Sequence, residues 1–469
     1  MKSLWSKTTQ LPERKVLNAD LQVKNVVIGA GMAGILIAYF LQENGQEVVI
    51  LEANEIASGQ TKNTTAKITS QHGLIYNDLI RNTGIKRAKG YARANEDAIQ
   101  IYKEIITKEG IACHFEELPS FLYCKKEDGL GKIKKEVEAA KRLGIKAEYV
   151  RGDKITELPF GVMAAAKFEH QAQFHPLEFI RGIIKKLTIY EHTKVLKVEG
   201  HMVVTDKQVV VAENIIFATH YPFPIVPGFY FMRQHQSRSY ALAIEGKDVP
   251  KQLQGMYYGI DSDSLSFRHA DGKLIIGGSS HRTGKHFQIE TKNRAKRYPG
   301  AFSYLREQVK QYYPNAEEVA NWAAQDCMPH DGIPFIGQFS LLHKNWYVAT
   351  GFQKWGMTTA MVAAKIVSNK ILGRENVYAD VFSPQRLLIR AGYKAFLTDV
   401  LESVIMIVQG TFSQKSKRCR HMGCALHWNE EEKSWDCECH GSRFEEGGEI
   451  IDGPAQVDLE RGGSFKAQT

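Results

Sequence analysis

Val26-Val-Ile-Gly29-Ala-Gly31-Met-Ala-Gly34 decides how the N-terminal part of this chain is read. Val26 to Ile28 suit a buried strand, and the following turn has the GxGxxG spacing. Ile35 to Glu43 then has helical spacing, with Ile37, Phe40 and Leu41 on one side, and stops at Gly45. Val48 to Leu51 is a second buried strand, closed by Glu52. A glycine pattern gains weight when it joins a strand to a helix in this way. Gly29 permits the tight turn, Gly31 lets the backbone approach a pyrophosphate, and Gly34 lets helix and strand pack closely. The helix N-terminus favours the phosphate charge. Glu52 stands where an acid accepts hydrogen bonds from a ribose. A glycine-rich turn without a ligand is the competing reading, and strand, helix and acid together favour a dinucleotide. The chain carries one such fingerprint, so it holds either NAD alone or FAD alone.

Further along, helical spacing recurs over 91–109 and 132–143. Residues 194–198, 202–205 and 209–211 read as a strand meander, followed by buried strands at 214–218, 274–278 and 346–349. An apolar, alanine-rich helix is expected over 358–372. A connecting segment with helical spacing (Leu387, Leu388, Ala391, Ala395, Val400, Leu401) follows, its helix placed at 386–410.

A length of 469 residues suits two or three packed units. The net charge of +9 is dispersed, and its densest run (Lys132, Lys134, Lys135, Glu136, Glu138, Lys141, Arg142) alternates in sign. That is the solvated face of a helix rather than a nucleic-acid footprint. The N-terminal residues contain no apolar core of a secretory signal. The most apolar late stretch, 403–414, falls short of the roughly 20 residues a membrane span needs. A cytoplasmic protein without a membrane span is expected.

Cys113, Cys124 and Cys327 are scattered, whereas four cysteines crowd into residues 419–439. The pattern there is Cys419-Arg-His421, fifteen residues, then Cys437-Glu-Cys439-His440-Gly-Ser442. A Rieske [2Fe–2S] centre needs two thiolates on one iron and two imidazoles on the other. Cys419 with Cys437, and His421 with His440, meet that need. Cys424 and Cys439 are then spare, one on each loop, and are placed to form a disulfide. A structural zinc site also accepts Cys and His, but six candidate ligands make it the less economical reading. Such a cluster takes single electrons, and a flavin mediates between two-electron and one-electron donors. FAD is therefore the expected nucleotide.

At these residues the chain resembles known families. Residues 20–385 resemble the D-amino-acid-oxidase-like FAD-dependent oxidoreductases. The resemblance rests on Val26–Gly34, Val49-Ile-Leu-Glu-Ala53, Ala57-Ser-Gly-Gln-Thr61, Phe217-Ala-Thr219, Asp331-Gly-Ile-Pro-Phe-Ile-Gly337 and Tyr347–Thr358. It implies flavin contacts at Thr61, Thr219, Gly351, Phe352, Gly356, Met357 and Thr358, with Val195 meeting the adenine. Residues 419–456 resemble Rieske domains, including the shielding loop Gly453-Pro-Ala455. There Phe444 stands where high-potential members place a tyrosine, which implies a lower potential. The run before Cys419 is short, so the base of that domain is either truncated or rebuilt from the connecting segment.

The resemblance implies an α/β FAD-binding domain of the Rossmann-like, glutathione-reductase type with an α+β substrate domain, plus a small all-β Rieske domain. The oxidoreductase is expected over 1–385, with its FAD core at about 20–90, 150–230 and 326–385. The substrate lobe falls at about 91–149 and 231–325, and the Rieske unit at 411–469. The implied activity is oxidation of an amine or amino acid, with electrons passed to an external acceptor protein or quinone. A dehydrogenase is favoured over an oxidase. An electron-transfer or redox-sensing module without its own substrate is the alternative. Candidate substrate contacts are Tyr257, Tyr258, Arg268, Arg282 and Lys354, with His220 a further candidate. No clear residue for covalent flavin attachment is apparent, although His72 and Cys113 lie in the N-terminal half.

Overall fold

The computed structural model describes residues 1–290, 295–386, 389–412 and 417–459. Residues 291–294 of the expected substrate lobe, 413–416, and 460–469 at the end of the expected Rieske unit lie outside the described residues, as do 387–388.

The strand Leu21–Ile28 is central to a sheet ordered Phe335–Ser340, His343–Thr350, Val209–Phe217, Leu21–Ile28, Val48–Leu51, Thr188–Tyr190. Its four central pairings, from His343–Thr350 across to Thr188–Tyr190, are parallel. Val26, Val27 and Ile50 are wholly buried, as strands covered on both faces require. The meander strands Val195–Glu199 and Met202–Thr205 pair antiparallel at one edge. The strand they join runs unbroken from Val209 to Phe217, where the sequence suggested two pieces. Its polar residues, Glu213 and Asn214, sit in a strand held on both sides by pairing rather than by composition. The helices Met32–Glu43 and Gly356–Ile371 pack together over this sheet, nearly every side chain of the latter's first three turns buried.

A second sheet has nine strands. Its order is Glu317–Pro329, Gln234–Glu245, Lys273–Arg282, Ser266–Ala270, Met256–Gly259, Glu116–Cys124, Ala164–Gln173, Lys67–Ile68, with Ala147–Arg151 also on Ala164–Gln173. Lys67–Ile68 and Ala164–Gln173 fall in stretches assigned to the FAD core, yet they pair with this sheet. Strand pairing is long-range, and sequence spacing does not reveal it.

The C-terminal unit is a four-stranded antiparallel sheet, Leu426–Asn429, Ser434–Cys437, Arg443–Glu445 and Ile450–Asp452. The helix Ile389–Phe412 leads into it and supplies its missing base. Met406 joins Cys419, Cys437 and Phe444 in one apolar core, and its carbonyl accepts from Ala425 N at 3.1 Å. The short run before Cys419 is thus rebuilt from the connecting segment. Among the described residues, no helix is long and apolar enough to cross a membrane.

Candidate active site and iron–sulfur centre

The glycine turn works through close backbone approach. Gly29 adopts φ +105°, and a Cβ there would lie 2.6 Å from the Ala218 carbonyl oxygen. A Cβ on Gly34 would lie 2.0 Å from the Gly29 oxygen. Replacing Gly34 by alanine should therefore push helix and turn apart. The expected result is a protein purified without flavin absorbance, or not recovered folded. Retention of FAD at wild-type stoichiometry would contradict this account.

Around the turn, Ala30 N donates to Glu52 Oε2 at 2.7 Å, and Met32 N donates to Thr61 Oγ1 at 3.0 Å. Burial raises the Glu52 carboxyl above its ordinary range, while bonds from Asn54 and Ala30 N–H pull it back. The turn opens onto a cavity of about 1340 Å³. Gly29, Gly31, Glu52, Thr61, Val195, Thr219, Gly351, Phe352, Gly356 and Met357 all line it. Gly34 and Thr358 lie behind the wall. Thr358 is buried, and its hydroxyl donates to the Thr69 carbonyl at 3.0 Å. One long cavity floored by glycine-lined backbone fits an extended dinucleotide.

The candidate substrate residues divide. Tyr258 and Lys354 line the cavity, the first edge-on to Trp355 and the second bonded to Ser280 Oγ. His220 also lines it, with Nε2 3.4 Å from Cys327 Sγ. Tyr257 points to the opposite face, as strand alternation demands of its neighbour. It stacks on Phe121 and bonds Glu157. Arg268 is outside the cavity: its guanidinium is spent on the carbonyls of Thr65, Ala66 and His269. Burial lowers it to about 9. Arg282 is likewise elsewhere, donating to the carbonyls of Glu438 and Cys439 and pairing with Asp399. His72 and Cys113 are buried outside the wall, and both His72 ring nitrogens have partners, Tyr91 OH at 2.6 Å and Thr69 O at 2.8 Å. The sequence reading missed Lys67, which lines the cavity and is lowered to about 7 by burial and by Arg268. It also missed Asp326. The available signal was that Asp326 is the one charged residue between Val319 and Pro329.

The C-terminal loops bring Cys419, His421, Cys437 and His440 together, each at most 5% exposed. Cys424 and Cys439 form the disulfide that joins the loops. The two imidazole rings stand 4.9 Å apart, and the Nδ1 atoms of both are buried without a hydrogen-bond partner. Burial depresses the His421 imidazole to about 4, so it is neutral, the form that ligates metal. Two thiols with two orphaned imidazole nitrogens fit a [2Fe–2S] cluster of Rieske type. Ser442 hydrogen-bonds Cys419, while Phe444, wholly buried, offers no donor.

This unit is seated on the oxidoreductase. Gln236 Nε2 donates to the carbonyls of His440 at 2.6 Å and Gly453 at 3.0 Å, and Gln325 Nε2 donates to Gly441 O at 2.8 Å. Phe231 meets both histidine rings edge-on. Glu431 accepts from Phe302 N and Ser303 N at 2.8 Å each, satisfying the N-terminus of the helix Ala301–Tyr312. Glu432 pairs with Arg238, accepts from Arg443 Nη2 at 2.8 Å, and accepts from Tyr240 OH at 2.8 Å. Glu432, Arg443, Gly453, Ala455 and Gln456 form part of the cavity wall.

Comparison with known proteins agrees with this geometry. Residues 24–370 match the family of FAD dependent oxidoreductases, and residues 389–461 match the Rieske [2Fe-2S] domain. A Bacillus subtilis protein named putative Rieske 2Fe-2S iron-sulfur protein YhfW is 32% identical, covering 97% of each chain. Among solved structures, glycine oxidase from Geobacillus kaustophilus superimposes with TM-score 0.64 at 16% identity, over 78% of this chain and 99% of that one. L-proline dehydrogenase from P. horikoshii gives TM-score 0.61 at 17% identity, over 78% and 98%. These two likenesses bear on the fold. The chain belongs to the FAD-dependent oxidoreductases and carries a C-terminal Rieske domain, with FAD and a [2Fe–2S] cluster as its cofactors.

Proposed function

We propose that this chain is a dehydrogenase that oxidises the C–N bond of an amine or amino acid and sends the electrons to an external acceptor by way of its own Rieske cluster. One observation carries the reading: the residues that seat the histidine ligands hydrogen-bond to residues of the FAD-cavity wall, Gln236 to Gly453 and Gln325 to Gln60. Gln236 and Gln325 bond each other at 2.7 Å and hold the His440 and Gly441 carbonyls, while Gln325 N donates to Gln60 Oε1 beside Thr61. Cys327 O, two residues along the same strand, accepts from Gln353 N at 2.9 Å in the flavin-wrapping segment. When bound, FAD accepts a hydride and releases electrons singly, and the cluster relays them one at a time.

In this reading Cys419, Cys437, His421 and His440 are the ligands, and Cys424–Cys439 clamps them. Glu52 and Val195 hold the adenosine half of FAD, while Gly351, Phe352, Gly356 and Met357 hold the flavin end. Tyr258 and Trp355 form an aromatic wall, and the Rieske loop Gly453–Gln456 excludes water from one side. With both imidazoles only 4–5% exposed and Phe231 edge-on to each, they would hold a cluster against the flavin domain.

The test is anaerobic mixing of the purified protein with a panel of amines and amino acids, with absorbance following the flavin and low-temperature EPR the cluster. Bleaching followed by a Rieske-type signal supports the reading. A cluster signal with dithionite alone would favour an electron-transfer or redox-sensing module that lacks its own substrate.

A further inference from the structure

The end of the cavity beside Gly351–Met357 has a floor in which small side chains sit next to Trp322. Ser239 pairs with Ala324 on the neighbouring strand, and Ala241 lies between Gly277 on one side and Trp322 on the other. Asp326 rises from this floor. Two residues past Ala324 on the same strand, it points to the same side. Its Oδ2 accepts from Ser239 Oγ at 2.8 Å, and among the described residues no donor meets Oδ1. Its own strand bonds both flanking segments, Gln325 N to Gln60 Oε1 at 2.7 Å and Cys327 O to Gln353 N at 2.9 Å. Asp326 therefore stands between the two stretches expected to embrace FAD.

The arginines of this wall are engaged, whereas Lys62 and Lys67 also line it, the latter lowered to about 7 by burial and by Arg268. Arg238 and Arg443 are only 4% and 5% exposed, and Glu432 bonds both, with Asp436 and Asp452 on Arg443. Neither offers the open guanidinium fork that binds a carboxylate with two parallel bonds. Lys354 donates to Ser280 Oγ. What the floor offers a ligand is a partly exposed carboxylate with an open oxygen and a hydroxyl beside it.

We propose that Asp326, oriented by Ser239, binds the cationic nitrogen of the substrate, and that the substrate class is amines without an α-carboxylate. This rests on the reading of the chain as a C–N oxidising flavoenzyme and narrows it. An ammonium meets Oδ1 in a charge-assisted hydrogen bond, whereas an α-carboxylate at the same place would meet Asp326 as a like charge. Burial raises the Asp326 carboxyl above its ordinary range by more than Lys354, the Ser239 hydroxyl and Arg238 lower it, and an ammonium bound at Oδ1 would favour its charged form.

Two measurements test this on the oxidised holoenzyme. The first is calorimetric binding of tert-butylamine, which has no α-hydrogen and cannot be oxidised, to the wild type, Asp326→Asn and Asp326→Glu. Loss of one charged hydrogen bond predicts binding weaker by about 10- to 100-fold in Asp326→Asn, with recovery in Asp326→Glu at unchanged FAD content. Equal binding in all three overturns the subsite. The second compares anaerobic flavin bleaching by amines and by the α-amino acids that yield them on decarboxylation. Bleaching by the amines supports the substrate class. Bleaching by the amino acids alone overturns it and leaves the wider reading standing, whereas bleaching by neither overturns the wider reading itself.

Discussion

Cys437→Ser is expected to abolish the Rieske EPR signal and to remove the cluster's iron, while FAD remains bound and reducible by dithionite. The cluster requires two thiolates, and Cys437 is one of the two free thiols in the C-terminal core, 1% exposed and at the end of the strand Ser434–Cys437. A serine hydroxyl fills the same space but is not deprotonated at neutral pH and is a poor ligand for iron beside sulfide. Flavin binding is untouched because Cys437 does not line the cavity. Cys113→Ser and Cys124→Ser are the controls, since both thiols are buried in the substrate and FAD cores, away from this loop. Iron and acid-labile sulfide assays with EPR decide the matter. A full cluster in Cys437→Ser would contradict the ligand assignment.

The second large effect is expected at Glu432. Its side chain is 1% exposed and bonds Arg238 of the oxidoreductase and Arg443 of its own domain, whose side chains are 4% and 5% exposed. Removing one partner from a buried ion pair leaves an uncompensated charge and costs about 3–5 kcal/mol. Glu432→Gln should therefore loosen the seat of the Rieske domain, seen as a lowered melting temperature and as new protease cleavage in the helix Ile389–Phe412. The pH dependence has a definite sign. Burial raises the Glu432 carboxyl, but Arg238 and Arg443 outweigh it and hold it at about 2, against an ordinary 4.5. The folded state thus binds fewer protons than the unfolded one between these values. The stabilisation is complete above pH 4.5 and is lost as pH falls towards 2. Wild-type stability should fall across that window, and Glu432→Gln should lose this component of the slope. Parallel wild-type and variant profiles would show that Glu432 does not hold the interface.

Much of this was legible in the sequence because the deciding features are local. The glycine turn needs only its own strand and helix, and the spacing of Cys419-x-His421 and Cys437-x-x-His440 reflects two short loops. The substrate residues depend on distant register. Tyr257 and Tyr258 are neighbours, so alternation allows only one to reach the cavity, and the pairing of Tyr257 with Phe121 across 136 residues decides which. Arg268 suggested a carboxylate clamp by its chemistry alone. Its fate is set by the carbonyls of Thr65 and Ala66, some 200 residues earlier. Arg282 likewise depends on distant structure, since a loop from another domain, Glu438–Cys439, takes its donors. Asp326 carried a readable signal as the one charge between Val319 and Pro329, but its access to the cavity was not readable. The base of the Rieske domain was hidden because a helix, Ile389–Phe412, supplies what a strand motif would have announced.

The central claim is that flavin and cluster exchange electrons within one chain. The most direct test is rapid anaerobic reduction of the flavin followed by freeze-quenched EPR at several protein concentrations. A seat built from Gln236, Gln325 and Phe231 against the histidine ligands predicts that the Rieske signal appears at a rate independent of protein concentration. A rate proportional to concentration, or a cluster that stays oxidised while the flavin is bleached, would contradict it.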